Sequence, residues 1–226
     1  MLYIVGLGAS DENQIPYGVI KKLEEGLPLY LRTQEHPMVS FLKRKKIPYT
    51  SFDDVYVAKD SFEEVYEVII NTLKEASNKR DIIYAVPGHP SVAEYAVKVL
   101  MRESNAVIVG GQSFLDSMFA SLNIDPIDGL QIMDALSFDV NKVVKGVNLI
   151  VPQVFDQLSA SDLKLDLMEL FDDEYPVCIV KSAGSSQEQV QWMHLYELDR
   201  SFELSNLTTV FVPASAEILS SYQMEK

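Results

Sequence analysis

Residues 82–109 read IIYAVPGHPSVAEYAVKVLMRESNAVIV. Ile82–Val86 is a continuous apolar run of the length of a buried strand, broken by Pro87-Gly88-His89-Pro90. Ser91 and Glu94 have the spacing of a capping box, which predicts a helix from there to about Arg102. Ala106–Val109 then supplies the next strand. Strand, loop, helix and strand in this order form a βαβ unit, so the N-terminal half is expected to hold a mostly parallel sheet in an α/β fold.

Working outward, Leu2–Val5 is a short apolar run that stops at Gly6, a second strand running into a glycine turn. From Ser61 the period changes. Phe62, Val65, Tyr66, Ile69, Ile70 and Leu73 share one helical face, and Ser61 with Glu64 makes a capping box. Gly110-Gly111-Gln112 leads into a predicted helix over Ser113–Leu122, followed by the turn-rich stretch Asn123–Gly129. We divide the chain into an N-terminal α/β subdomain, 1–112, and a C-terminal α/β subdomain, 113–226. In the second, Val190, Trp192, Tyr196 and Leu198 alternate with Gln191, Met193 and Glu197 as in a strand with unlike faces. Together with Asn148–Val151, Val177–Val180 and Thr208–Val212 this predicts a mixed sheet, covered by a helix over Asp162–Phe171.

Composition narrows the function. With 226 residues, 47% of them hydrophobic, the chain can bury a large core. A formal charge of -14 opposes binding to a phosphate backbone, so nucleic acid is not an expected partner. The basic run Lys43, Arg44, Lys45, Lys46 reads as a helix C-terminus, where the dipole favours cations. Cys178 is the only cysteine and lies in an apolar run, as a small buried hydrophobe does. No segment has the roughly 18 apolar residues of a membrane span, and the N-terminus does not read as a signal peptide; a cytoplasmic protein is expected.

Several motifs compete for the chemistry. Gly6-Leu7-Gly8 invites a dinucleotide reading, but a third glycine would fall at Asp11 and Pro16 delays any helix. Gly6 and Gly8 thus form either a strand-end turn or a loop that lines a ligand. Glu63, Glu64 and Glu67 spell E-E-x-x-E, half of a magnesium site, yet Glu75, Glu94 and Glu103 are followed at the fourth place by Asn78, Val97 and Ala106 rather than a carboxylate. That run reads as the solvated face of a helix. His36, His89 and His194 lack the spacing of a zinc site, so no metal is expected. What remains is the Pro87–Glu94 loop at the C-terminal end of a parallel strand, where open α/β sheets bind ligands and where a tight βα turn is the plain alternative. Gly88 there has no Cβ to keep a ligand away.

At this point the residues resemble a known family. VPGHPSVAE (86–94) looks like the G-D-P signature of tetrapyrrole methylases, and GGQSFLDSMFASLNIDP (110–126) is similar to their P-G-x-S-S segment. VGLGASDEN (5–13) resembles their V-G-x-G-x-G-D loop, and LTTVFVP (207–213) their C-terminal strand. A closer resemblance is to the N-terminal half of bifunctional tetrapyrrole methylase/MazG proteins of the YabN type. It is carried by LYLRTQEHP (29–37), FDDVY (52–56), FEEVYEVI (62–69) and GLQIMDAL (129–136).

The resemblance implies a tetrapyrrole methylase-like fold, two α/β subdomains with a cofactor cleft between them, in a homodimer. It implies S-adenosylmethionine as cofactor and methyl transfer to an unidentified small-molecule acceptor. Carried over by position, Pro87, Gly88, His89, Ser91 and Val92 would contact the cofactor, with Ser113 and Phe114 beside them. Gln153, Val154 and Ala183 would do so from the second subdomain, and Gly6 and Gly8 would belong to a substrate loop. His89 stands where the family has Asp, and Phe114 where many members have Ser. The resemblance also implies a MazG-type pyrophosphohydrolase domain in the full-length protein. The alternative function is therefore a non-catalytic cofactor-binding or scaffold module that regulates such a domain.

Overall fold

The computed structural model of the chain describes residues 1–200, 203–205 and 207–217. Two compact units divide it, Met1–Asp116 and Ser117–Lys226.

In the first unit the short apolar runs become strands because their residues alternate between two helix-covered faces. In chain order the elements are β1 (Leu2–Gly6), α1 (Tyr17–Leu23), β2 (Leu29–Leu31), α2 (Met38–Arg44), β3 (Tyr49–Ser51) and α3 (Asp53–Ala58). There follow α4 (Phe62–Lys79), β4 (Ile82–Val86), α5 (Tyr95–Glu103), β5 (Ala106–Gly110) and the start of α6 (Phe114–Leu122). The sheet runs β3-β2-β4-β1-β5, and every pairing in it is parallel.

Leu2, Ile4, Ile82 and Tyr84 point to the face covered by α4 and α5, where Val65, Ile69, Leu73, Val97 and Leu100 meet them. Val5, Ile83 and Ala85 point the other way, onto Val19 and Leu23 of α1 and Met38 and Leu42 of α2. Each fully buried side chain of this size contributes roughly 1.5–3 kcal/mol, so the double-sided β1 and β4 are the most stabilising strands of the unit.

The helices bear out most of the sequence pattern. Ser61 caps α4 by accepting from the Glu64 N–H at 3.3 Å, and Glu63, Glu64 and Glu67 lie on its exposed face. The basic run closes α2, with Lys43 and Arg44 in its last turn. The capping box expected at Ser91 does not form. The helix starts at Tyr95, with Glu94 as a cap residue that makes no capping bond, because the Glu94 carboxylate is paired with Arg32 instead.

The second unit holds a mixed sheet in the order β6-β7-β10-β8-β9. Its strands are β6 (Leu130–Ile132), β7 (Asn148–Pro152), β8 (Pro176–Lys181), β9 (Gln189–His194) and β10 (Thr208–Val212), of which only β6 and β7 pair in parallel. Leu149, Val151, Ile179 and Val210 face α7 (Gln157–Met168), which buries Ala160, Leu163 and Leu167 on them.

Two expectations are corrected here. The covering helix begins five residues before Asp162, because Asp156 accepts from the Ser159 N–H at 2.8 Å while the Ser159 hydroxyl accepts from the Asp156 N–H, a reciprocal cap. The alternation through Leu198 is a strand only as far as His194. There the Glu197 carboxylate accepts from the His194 N–H at 3.0 Å and bends the chain into a 3₁₀ turn over Leu195–Glu197.

Candidate functional site

In the first unit the crossover that leaves β1 runs to α1 on one face of the sheet, and the crossover that leaves β4 runs to α5 on the other. These two strands are neighbours, so their C-terminal ends are a topological switch point, the place where open α/β sheets take ligands. Two glycine loops meet there. The Gly8 N–H donates to the Gly88 carbonyl at 3.2 Å and the Gly88 N–H to the Gly8 carbonyl at 2.8 Å.

Close packing explains which glycines are needed and how. A Cβ on Gly6 would overlap the Gly88 carbonyl and come within 2.9 Å of the Gly111 Cα; one on Gly111 would lie 2.7 Å from the Gly6 Cα. The ends of β1, β4 and β5 are thus packed backbone against backbone. Gly88 differs: its φ is +64°, and a Cβ there would meet nothing within 4 Å. Its side-chain direction is open.

The segment after β2 ties these loops together. The imidazole Nδ1 of His36 accepts from the Met38 N–H at 3.2 Å, which leaves Nε2 protonated to donate to the Gly8 carbonyl at 2.9 Å. Burial holds the His36 pKa below its ordinary value, against the opposing pull of that carbonyl. Arg32 donates to the Glu94 carboxylate at 2.8 Å and to the Tyr56 hydroxyl at 3.2 Å. Burial pushes the Glu94 carboxyl up to about 7, with Arg32 acting in the opposite direction. Asp53 holds the same segment by accepting from the Thr33 hydroxyl and the Gln34 N–H.

Among the residues expected at a cofactor, Pro87, Gly88, His89 and Val92 are half-buried in one loop and Ser91 is exposed beside them. The His89 Nδ1 accepts from the Ser91 N–H at 3.1 Å, so this histidine folds back on its own loop. Ser113 is buried at the head of α6: its hydroxyl accepts from the Leu115 N–H, and its own N–H donates to Asp116. Phe114 follows, half-buried. Gly6 and Gly8 lie at the switch point itself.

In the second unit Gln153, Val154 and Ala183 come to one end of the sheet, next to the chain entering β10. The Val154 N–H donates to Thr208 and the Ser182 N–H to Leu207. Val154 is fully buried, backbone and side chain alike. Gln153 and Ser182 both have positive φ, +67° and +54°, a conformation that non-glycine residues adopt at a cost.

Sequence reasoning missed His36, Arg32 and Glu94. The LRTQEHP stretch carried the signal, but which partner each side chain reaches depends on which strand lies next to β2. The same end of the first unit has an open depression of about 590 Å³ between the β1–α1 loop and the start of α6. Asn13, Gln14, Gln112 and Asp116 line it; the Gln112 Oε1 atom itself is buried and has no hydrogen-bond partner among the described residues.

The comparisons bear on the fold and the family. The chain is similar to a uroporphyrin-III-C-methyltransferase structure from Thermus thermophilus, with a TM-score of 0.70 and 17% identity over 99% of this chain and 95% of that one. A structure of the native form of the Thermus thermophilus uroporphyrin III C-methyl transferase gives 0.67 and 17% over 98% and 94%. At that identity the likeness is one of fold. In sequence, the chain is 43% identical over 219 residues to YabN, an uncharacterized protein of Bacillus subtilis (strain 168); the match covers 95% of this chain and 45% of YabN, so the chain spans about half of that relative. The profile of the Tetrapyrrole (Corrin/Porphyrin) Methylases matches residues 1–199, and the chain belongs to this family.

Proposed function

We propose that the chain is an S-adenosylmethionine-dependent methyltransferase acting on a small-molecule acceptor. The observation that carries this reading is the open side-chain direction of Gly88 beside the closely packed Gly6 and Gly111, at the switch point of a parallel sheet. The residues fit the cofactor: the Pro87–Val92 loop offers backbone and half-buried apolar surface, and the chain's charge of -14 suits a sulfonium cation. Pro87, Gly88, His89, Ser91, Val92, Ser113 and Phe114 would hold it from the first unit. Gln153, Val154 and Ala183 are the proposed contacts from the second.

When bound, the cofactor would supply an electrophilic methyl group on a sulfonium, with the thioether as the leaving group and an acceptor lone pair as the nucleophile. The protein's part is positioning. The Gly8–Gly88 hydrogen bonds, the His36 bond and the Arg32–Glu94 pair hold the loops in one arrangement, so the acceptor is oriented without moving them. Orientation of this kind is worth up to roughly 7–11 kcal/mol.

The same proposal includes a cytoplasmic homodimer and a full-length form that continues into a MazG-type pyrophosphohydrolase domain. Among the described residues no helix is long and apolar enough to cross a membrane. Calorimetry with S-adenosylmethionine and S-adenosylhomocysteine tests the cofactor, with micromolar binding expected and its absence overturning the reading. Incubating the chain and labelled cofactor with a metabolite extract then separates methyl transfer from a non-catalytic binding module.

A further inference from the structure

We propose that Arg32 and Glu94 are positioning residues that choose between two conformations of Ser91–Glu94: the loop described above, and an added first turn of α5. The ligand side of this proposal rests on the methyltransferase reading, because Ser91 and Val92 are among the contacts proposed there for the cofactor.

The segment carries two incompatible instructions. In sequence, Ser91-Val92-Ala93-Glu94 is a capping box, in which the Ser91 hydroxyl would accept from the Glu94 N–H and the Glu94 carboxylate from the Ser91 N–H. In the structure neither bond forms. The Ser91 N–H donates to His89 Nδ1 at 3.1 Å, and among the described residues the Ser91 hydroxyl makes no hydrogen bond. The buried Glu94 carboxylate reaches away to Arg32 at 2.8 Å. Arg32 is a fixed anchor: its N–H donates to the Ala85 carbonyl at 2.9 Å and its Nε to the Tyr56 hydroxyl at 3.2 Å. The backbone between Ser91 and Glu94 bears the cost. Ala93 has a φ of +55°, a left-handed conformation unfavourable for alanine, and α5 starts only at Tyr95.

Releasing Glu94 from Arg32 frees the same residues to wind up. With Ser91 as the cap, Val92, Ala93 and Glu94 become the first turn, Ala93 returns to right-handed backbone, and two N–H groups at the helix start gain partners. Val92 and Ala93 stand four residues before Ala96 and Val97, which α5 buries, so the turn extends the apolar stripe of the helix. It also takes Ser91 and Val92 out of the Pro87–Val92 loop. The loop conformation is the one that offers them to the cofactor, and the Arg32–Glu94 pair holds it.

Glu94→Gln separates the two instructions, since glutamine completes a capping box as glutamate does but forms no ion pair. The readout is a pair of helical nuclear Overhauser contacts in the isotope-labelled 226-residue chain, from the α-proton of residue 92 to the amide of 95 and from that of 93 to the amide of 96. They are expected to be absent from the wild type and to appear in Glu94→Gln and in Arg32→Met. Adding Ser91→Ala to Glu94→Gln removes the cap and should abolish them. S-adenosylhomocysteine, which selects the loop, should bind Glu94→Gln about five-fold more weakly than wild type and suppress the helical contacts as it saturates. Contacts absent from both Glu94→Gln and Arg32→Met, or persisting when Ser91→Ala is added, would overturn the two conformations. Equal affinity in a Glu94→Gln chain that shows the contacts would overturn their link to the cofactor. Failure of the wild type to bind S-adenosylhomocysteine at all would remove the methyltransferase reading and leave the two conformations standing.

Discussion

The His36 imidazole donates at 2.9 Å to the Gly8 carbonyl, the same oxygen that accepts from the Gly88 N–H at 2.8 Å. One acceptor thus joins three loops at the C-terminal edge of the parallel sheet. The bond needs a neutral ring, because Nδ1 must accept from the Met38 N–H.

His36 should make stability depend on pH in a definite direction. Its folded pKa is lowered from the ordinary 6.5 by burial, so its contribution is complete above 6.5 and is lost as pH falls through the folded value. His36→Ala is expected to lower stability by about 1–2 kcal/mol at neutral pH and to remove this part of the acid-side slope. Thermal unfolding between pH 7.5 and 5 checks both.

Glu94 works in the opposite sense. Its carboxyl is raised from 4.5 to about 7 by burial, with Arg32 partly offsetting, so its contribution is complete below 4.5 and is lost as pH rises through about 7. Glu94→Gln stays neutral throughout. The stability difference between the two proteins should move in favour of the variant from pH 4.5 to 7 and level off above that, measured by denaturant unfolding at fixed pH. A difference that does not change with pH would mean that Glu94 is ionised in the folded protein over that whole range.

The glycines should separate packing from binding. Gly6→Ala puts a methyl group against backbone atoms and is expected to cost roughly 3 kcal/mol. Gly88→Ala meets no atom within 4 Å and carries only the left-handed backbone penalty, about 1–2 kcal/mol. Gly88→Val should remain folded by circular dichroism and lose S-adenosylmethionine binding by calorimetry. Wild-type affinity in folded Gly88→Val would reduce the loop to a turn.

Cys178 is fully buried on β8, and burial pushes its thiol up to about 12. The thiolate is the reactive form, so the native chain should resist a thiol reagent at pH 8 and be modified promptly once unfolded in guanidinium. Rapid modification of the native chain would mean that β8 opens readily.

The elements legible in the sequence were those with enough residues to show a period or a stop. β4 was read to its residue, α4 from its cap and face, and α6 from the glycines ahead of it. β2 and β3 have three residues each, too few for any alternation to register, and without them the neighbours of β1 and β4 could not be known. The site followed the same rule. The glycine loops were visible as motifs, but His36 was one scattered histidine until β2 was placed beside β4. Glu94 was misread as a distant capping partner of Ser91 because a capping box and a buried ion pair use the same residue type.

The position of β1 has a consequence for biosynthesis. Its two neighbours, β4 and β5, begin about 80 and 104 residues later, at Ile82 and Ala106, so no partner for its backbone exists until that much more chain has been made. At roughly 5–20 residues per second this leaves the apolar strand waiting on the order of 5–20 s as the ribosome continues. This first-made interior strand of the sheet is therefore the segment of the nascent unit most in need of a chaperone's cover.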